Sequence, residues 1–166
     1  MRRIALIASA ALIAVGIAAA PVAARQPGPT IVEAAIAVNA DTGEFSQLIA
    51  AVSRAGLVDT LNGNRQFTVF APTDAAFEAL YGVLGVNGVD QIDLATLKGV
   101  LLYHVAPGER FSDDVLGASR VRMLSKSFTY PSLDGSTPYI NNAQILIPDI
   151  DVSNGVIHVI DAVLLP

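Results

Sequence analysis

The spacing of apolar residues changes part-way along the chain, and this change limits the folds open to it. Phe45, Leu48, Ile49 and Val52 fall at i, i+3, i+4 and i+7, which is one face of an α-helix. Beyond Arg120 the pattern alternates instead. Val121, Met123 and Leu124, then Phe128 and Tyr130, read as strand, followed by β runs over 145–152 and 156–164. Ser153-Asn154-Gly155 joins the last two runs, and Asn-Gly between apolar runs is a hairpin signal. Helices first and strands later predict an α+β domain rather than alternating α/β.

Local signals place the elements. Residues 31–40 predict a short Ala-rich helix. Asp41, with Glu44 three residues later, is the expected N-cap of the helix carrying Phe45. Gly56 is expected to end that helix in a left-handed cap, and residues 57–61 read as one more helical turn. Phe67-Thr68-Val69-Phe70-Ala71 reads as a strand stopped by Pro72. Thr73 then caps a helix over residues 74–80, with Asp74 at its positive end. Gly82, Gly85 and Gly88 are expected to punctuate a loop. Asp93 caps a helix whose Leu94, Leu97 and Leu101 share a face and which ends near Tyr103. Pro107-Gly108 predicts a turn, and residues 131–138 a turn-rich connection.

The first 24 residues are unlike the rest. Met1-Arg2-Arg3 is a positive end, residues 4–20 are apolar, and Val22-Ala23-Ala24 offers small residues before a cut. This is the pattern of a secretory signal peptide, with cleavage expected after Ala24. The apolar stretch is shorter than the ~20 residues a span prefers, so no membrane insertion is expected after cleavage. Residues 25–30 read as a linker and 31–166 as a single domain. A secreted or periplasmic protein is the expectation.

Composition removes several classes of function. The chain has 10 Lys+Arg against 15 Asp+Glu, and two of the arginines lie in the leader. An acidic domain without a basic cluster is a poor match for nucleic acid or an anionic bilayer. With no cysteine there is no disulfide scaffold, thiol nucleophile, cysteine zinc site or lipid-anchored cysteine. Only two histidines are present, whereas a zinc enzyme usually needs three protein ligands. Asp149-Ile150-Asp151-Val152-Ser153 approaches a calcium loop, but Asn154 and Ile160 stand where glycine and glutamate would be needed. No Gly-x-Ser-x-Gly elbow occurs. No catalytic residue, cofactor or metal site is expected.

Asp74, His104, His158 and Asp161 remain as candidate acid–base groups. Each sits within an apolar run, where a buried polar group must find a hydrogen-bond partner or cost a few kcal/mol. Thr73, Asp74, His104, His158 and Asp161 are therefore expected to act as structural polar staples.

Three segments carry a resemblance. They are Phe67-Thr68-Val69-Phe70-Ala71-Pro72-Thr73-Asp74-Ala75-Ala76-Phe77, then Leu102-Tyr103-His104-Val105, then Asn154-Gly155-Val156-Ile157-His158-Val159-Ile160-Asp161. In order and spacing they resemble the fasciclin (FAS1) domain family. The resemblance implies a β-wedge of two sheets packed with a cluster of mainly N-terminal helices. It also implies a secreted, non-enzymatic module for cell-surface adhesion or matrix association. The partner would be an extracellular or cell-surface protein or a polysaccharide. Family adhesive contacts map onto Tyr103, His104, Pro148, Asp149 and Ile150, which become the candidate contact surface. A second implication is a carrier of an apolar, carotenoid-like small molecule. That ligand would sit in a groove between the two signature segments, with Tyr81, Tyr103, Tyr130 and Tyr139 as aromatic walls. An exported hydrolase is the third reading. It needs a histidine in reach of a carboxylate and an open nucleophile.

Overall fold

Thr30 opens the first helix with a capping box. Its hydroxyl accepts from the Glu33 N–H, and the Glu33 carboxylate accepts from the Thr30 N–H. These contacts belong to a computed structural model that describes residues 28–166. The leader and the expected cut after Ala24 lie outside the described residues.

Helix α1 (Ile31–Thr42) runs past Ala40 and contains Asp41. The expected cap at Asp41 does not form, because nothing breaks the helix before Gly43, where φ is 75°. Phe45 is not helical either. It is buried in a left-handed conformation at the entry to α2 (Ser46–Arg54). Asp74 supplies the missing cap from 28 residues away, accepting from the Ser46 N–H at 3.2 Å and the Gln47 N–H at 2.9 Å. Gly56 ends α2 as expected, with φ at 69° and the Leu57 N–H returning to the Val52 carbonyl. A single turn, α3 (Val58–Leu61), leads to β1 (Phe67–Pro72).

Thr73 caps α4 (Asp74–Leu84), which is longer than its spacing predicts. Gly82 is helical, and the break comes at Gly85, where φ is 68°. Asp93 caps α5 (Leu94–Tyr103), which buries Leu97 and Leu101 but leaves Leu94 half exposed. Strand β2 (Val105–Pro107) and helix α6 (Ser112–Gly117) follow, and neither has a signal in the sequence pattern. Strands β3 (Val121–Arg122) and β4 (Phe128–Thr129) form a small sheet. The segment expected as a turn-rich connection pairs instead: β5 (Pro131–Asp134) and β6 (Thr137–Ile140) close a hairpin at Gly135, where φ is 62°. Strands β7 (Ala143–Val152) and β8 (Gly155–Ile160) complete the chain's regular structure.

The main sheet has the order β2-β1-β8-β7-β6-β5, with β1 and β8 parallel and the other pairs antiparallel. The expected α+β architecture of two sheets and mainly N-terminal helices is the one observed. All residues of β1 and β8 are buried, because both lie inside the sheet with both faces covered. One face carries Phe67, Val69, Ala71, Ile157 and Val159 against the helices. The other carries Phe70 and Ile160 against Val115, Val121, Met123 and Leu164. Gly155 is required by the first pair rather than by the hairpin. The two-residue turn is Ser153-Asn154, and a Cβ at Gly155 would run into the Phe67 carbonyl oxygen.

Candidate contact surface

Strand β7 is the irregular member of the sheet. It pairs with β8 at Ile145↔Ile160, Ile147↔Val159 and Ile150↔Ile157, and its register shifts between each of these pairs. Bulges of this kind turn side chains away from the ladder. Pro148 has no N–H to give to the sheet, and Asp149 has φ at 60°. The result is an outward ridge. Leu146 and Ile147 are 47% and 54% exposed, and Pro148 is exposed beside them. Ile150 turns inward and packs on the helix-side core.

Asp149 holds the ridge to the rest of the fold. Its carboxylate accepts from the Ser112 N–H at 2.6 Å and from the Ser112 hydroxyl at 2.5 Å, capping α6. Its own N–H donates to His158 Nδ1 at 3.2 Å. His158 Nε2–H donates to the Arg110 carbonyl at 3.0 Å, and the ring stacks on Phe70 with centroids 5.4 Å apart. A carbonyl can only accept and an N–H can only donate, so these contacts assign the neutral Nε2–H tautomer. Burial pushes the His158 pKa down, opposed by the Arg110 hydrogen bond and the Asp149 charge.

The other half of the expected surface is inside the protein. Tyr103 and His104 are 5% and 2% exposed. The Tyr103 hydroxyl donates to the Phe128 carbonyl and accepts from Asn141. His104 Nδ1–H donates to the Val100 carbonyl at 2.7 Å, and Nε2 accepts from the Leu164 N–H at 2.8 Å. Burial lowers its pKa to about 4, against the pull of the Val100 hydrogen bond. These two residues therefore offer no side-chain surface to a partner. The five expected contact residues are split: Pro148, Asp149 and Ile150 sit together on β7, while Tyr103 and His104 lie at the buried end of α5.

Of the remaining polar residues, Asp74 and Asp161 bond across segments, the Thr73 hydroxyl bonds only within the first turn of its own helix, and Asp161 is exposed rather than buried. Thr73 accepts from the Ala76 N–H, and Asp74 bridges α4 to α2. Asp161 accepts from the Gln144 N–H at 2.7 Å and returns its own N–H to the Gln144 carbonyl. Asn154, in the turn before β8, joins three segments. Its Oδ1 accepts from the Ile31 N–H, and its Nδ2 donates to the Leu61 and Gly63 carbonyls. Arg54 likewise donates to the Val89 and Ile92 carbonyls. Neither role leaves a local signal, because the partners are 35 or more residues away.

This arrangement bears on the other readings. Both ring nitrogens of each histidine are engaged by backbone groups, and Ser112 bonds a carboxylate rather than an imidazole. Among the described residues no group of three or more His, Cys, Asp or Glu could hold a metal ion. No groove separates the two signature segments, because β1 and β8 are hydrogen-bonded neighbours. Apolar voids of about 40 and 30 Å³ lie beneath α1, and a more open, mostly apolar hollow of about 210 Å³ lies between α4 and the segment after β8, lined by Ala76, Leu80, Val83, Val163 and Leu165. Drug-sized ligands occupy roughly 300–1,000 Å³. None of Tyr81, Tyr103, Tyr130 and Tyr139 lines any of these three spaces.

The Fasciclin domain family model matches residues 43–166. The chain belongs to the fasciclin domain family. Helix α1 precedes the matched stretch but packs into the same core through Ile31 and Ala34. A fasciclin relative, Protein sll1483 of Synechocystis sp., is 39% identical over 144 residues, covering 87% of this chain and 77% of its own. Cell surface glycolipoprotein MPB83 of Mycobacterium bovis is 33% identical over 112 residues, covering 66% of this chain and 48% of its own. Among solved structures, a FAS1 domain pair from the insect cell adhesion molecule Fasciclin I aligns with a TM-score of 0.69 at 21% identity. That match covers 84% of this fasciclin chain and 52% of the solved one, so the chain spans about half of that pair. Among the described residues no helix is long and apolar enough to cross a membrane.

Proposed function

We propose that this fasciclin chain is a secreted, non-enzymatic module that associates with a cell surface or extracellular matrix through the β7 ridge. The observation that carries the reading is the half-exposed pair Leu146 and Ile147 beside Pro148, on a strand whose register shifts turn them outward. An apolar centre with a polar rim is the usual anatomy of a protein contact. Asp149 and the half-exposed Phe111, next to Ser112, stand at its edge. Two names among the similar proteins agree with such a role, a cell surface glycolipoprotein and an insect cell adhesion molecule. The natural partner is an extracellular or cell-surface protein or polysaccharide.

A retention assay tests the reading. The purified protein is passed over envelope fractions and surface polysaccharide from the cells that make it. Wild type is expected to be retained, and L146E/I147E to lose at least ~10-fold in affinity, as for a central apolar contact. Equal retention of the two proteins, or no retention of wild type, would contradict it.

A further inference from the structure

The ridge has a titratable group directly beneath it. His158 is fully buried, yet its Nδ1 lies 3.9 Å from the Asp149 carboxylate that caps α6. Three elements supply the groups seen in contact with the ring. Strand β7 brings the Asp149 N–H and carboxylate. The loop before α6 brings the Arg110 carbonyl. Strand β1 brings the uncharged Phe70 ring. Next to the capped Ser112, α6 carries the exposed Asp113 and Asp114.

We propose that His158 and Asp149 form an acid-operated latch that couples the β7 ridge to α6. In the neutral ring Nδ1 is an acceptor and holds the Asp149 N–H. A proton from solvent on Nδ1 turns that nitrogen into a donor, so two N–H groups face each other and the bond is lost. The same proton makes Nδ1–H a charged donor, with Asp149 Oδ1 as its nearest carboxylate. Closing that gap draws the carboxylate off Ser112. The exchange releases the first turn of α6 and lets Asp149 leave its left-handed backbone conformation, where φ is 60°. Leu146, Ile147 and Pro148 precede it on the same bulged strand, so acid reshapes the ridge. His104 lacks this coupling, because its ring meets only the Val100 carbonyl and the Leu164 N–H. Burial places the His158 transition below the ordinary histidine value of 6.5.

The latch takes the ridge as the contact surface proposed above, but its test needs no partner. Amide-exchange protection factors and imidazole nitrogen shifts are followed by NMR on the whole protein as the pH falls from neutral. Protection at Ser112 is expected to drop ~10-fold in step with His158 protonation, while the β1 and β8 amides stay protected. In D149N the uncharged amide can still accept from Ser112, and the drop is expected to vanish. Three results would overturn the proposal: unchanged Ser112 protection while His158 titrates, the same drop in D149N, or global unfolding before His158 takes up a proton. A failed latch with intact retention of wild type leaves the contact surface standing. A working latch on a protein that binds nothing removes only that surface.

Discussion

The two histidines occupy similar burial but different company. His104 closes the end of α5 against the C-terminal segment, and both its partners are backbone groups. His158 lies under the bulge of β7 and faces a carboxylate that is still 35% exposed. The first region has nothing to exchange when its ring changes state, so it acts as a fastener. The second has an alternative partner within 3.9 Å, so it can act as a hinge. Burial alone does not separate the two roles, whereas the chemistry of the neighbours does.

The largest effect is expected at the fastener. H104A leaves the Leu164 N–H and Val100 carbonyl unpaired around a cavity and should cost roughly 3 kcal/mol in a denaturant titration. A loss below ~1 kcal/mol would show that the backbone groups find water instead. Acid should act on the same region by nearly as much. The folded His104 pKa of about 4 lies below the unfolded 6.5, so its contribution is present above 6.5 and fades as the pH falls towards 4. At full effect this is roughly 3 kcal/mol, and H104Q should flatten the stability profile across that window.

A smaller cost is expected at the hinge. D149A removes the acceptor for two Ser112 groups at a site open to water, and about 1 kcal/mol is anticipated from loss of a cap. D149N should recover most of that loss at neutral pH. The smallest stability change is expected at the ridge, where I147E should fall within ~0.5 kcal/mol of wild type by thermal melting. A large destabilisation there would mean that Ile147 is a core residue and that the two regions differ less than their exposures indicate.

The same contrast shows which features the sequence carries openly. The caps at Thr73 and Asp93, the strand at Phe67 and the β7–β8 hairpin rest on near neighbours and are readable in a short window. Helix α6 and the β5–β6 hairpin are not, because they have only six and four residues per element. Their order depends on distant partners, such as Asp149 for α6. The start of α2 is hidden from a short window for the same reason, since Asp74 caps it across 28 residues. At the site, the Pro148-Asp149-Ile150 motif was legible, but the outward turn of Leu146 and Ile147 was not. Strict alternation would place them on opposite faces of the sheet, and only the two register shifts expose both. Tyr103 and His104 show the converse, a recognisable pair whose side chains the fold encloses.

Retention on the producing cell's surface, compared between I147E and H104Q at matched folded fraction, tests the central claim most directly. The division of labour between the buried His104 and the β7 ridge predicts that folded H104Q binds like wild type while I147E, with near-normal stability, loses about tenfold or more. Full binding by I147E together with loss of binding by folded H104Q would contradict it.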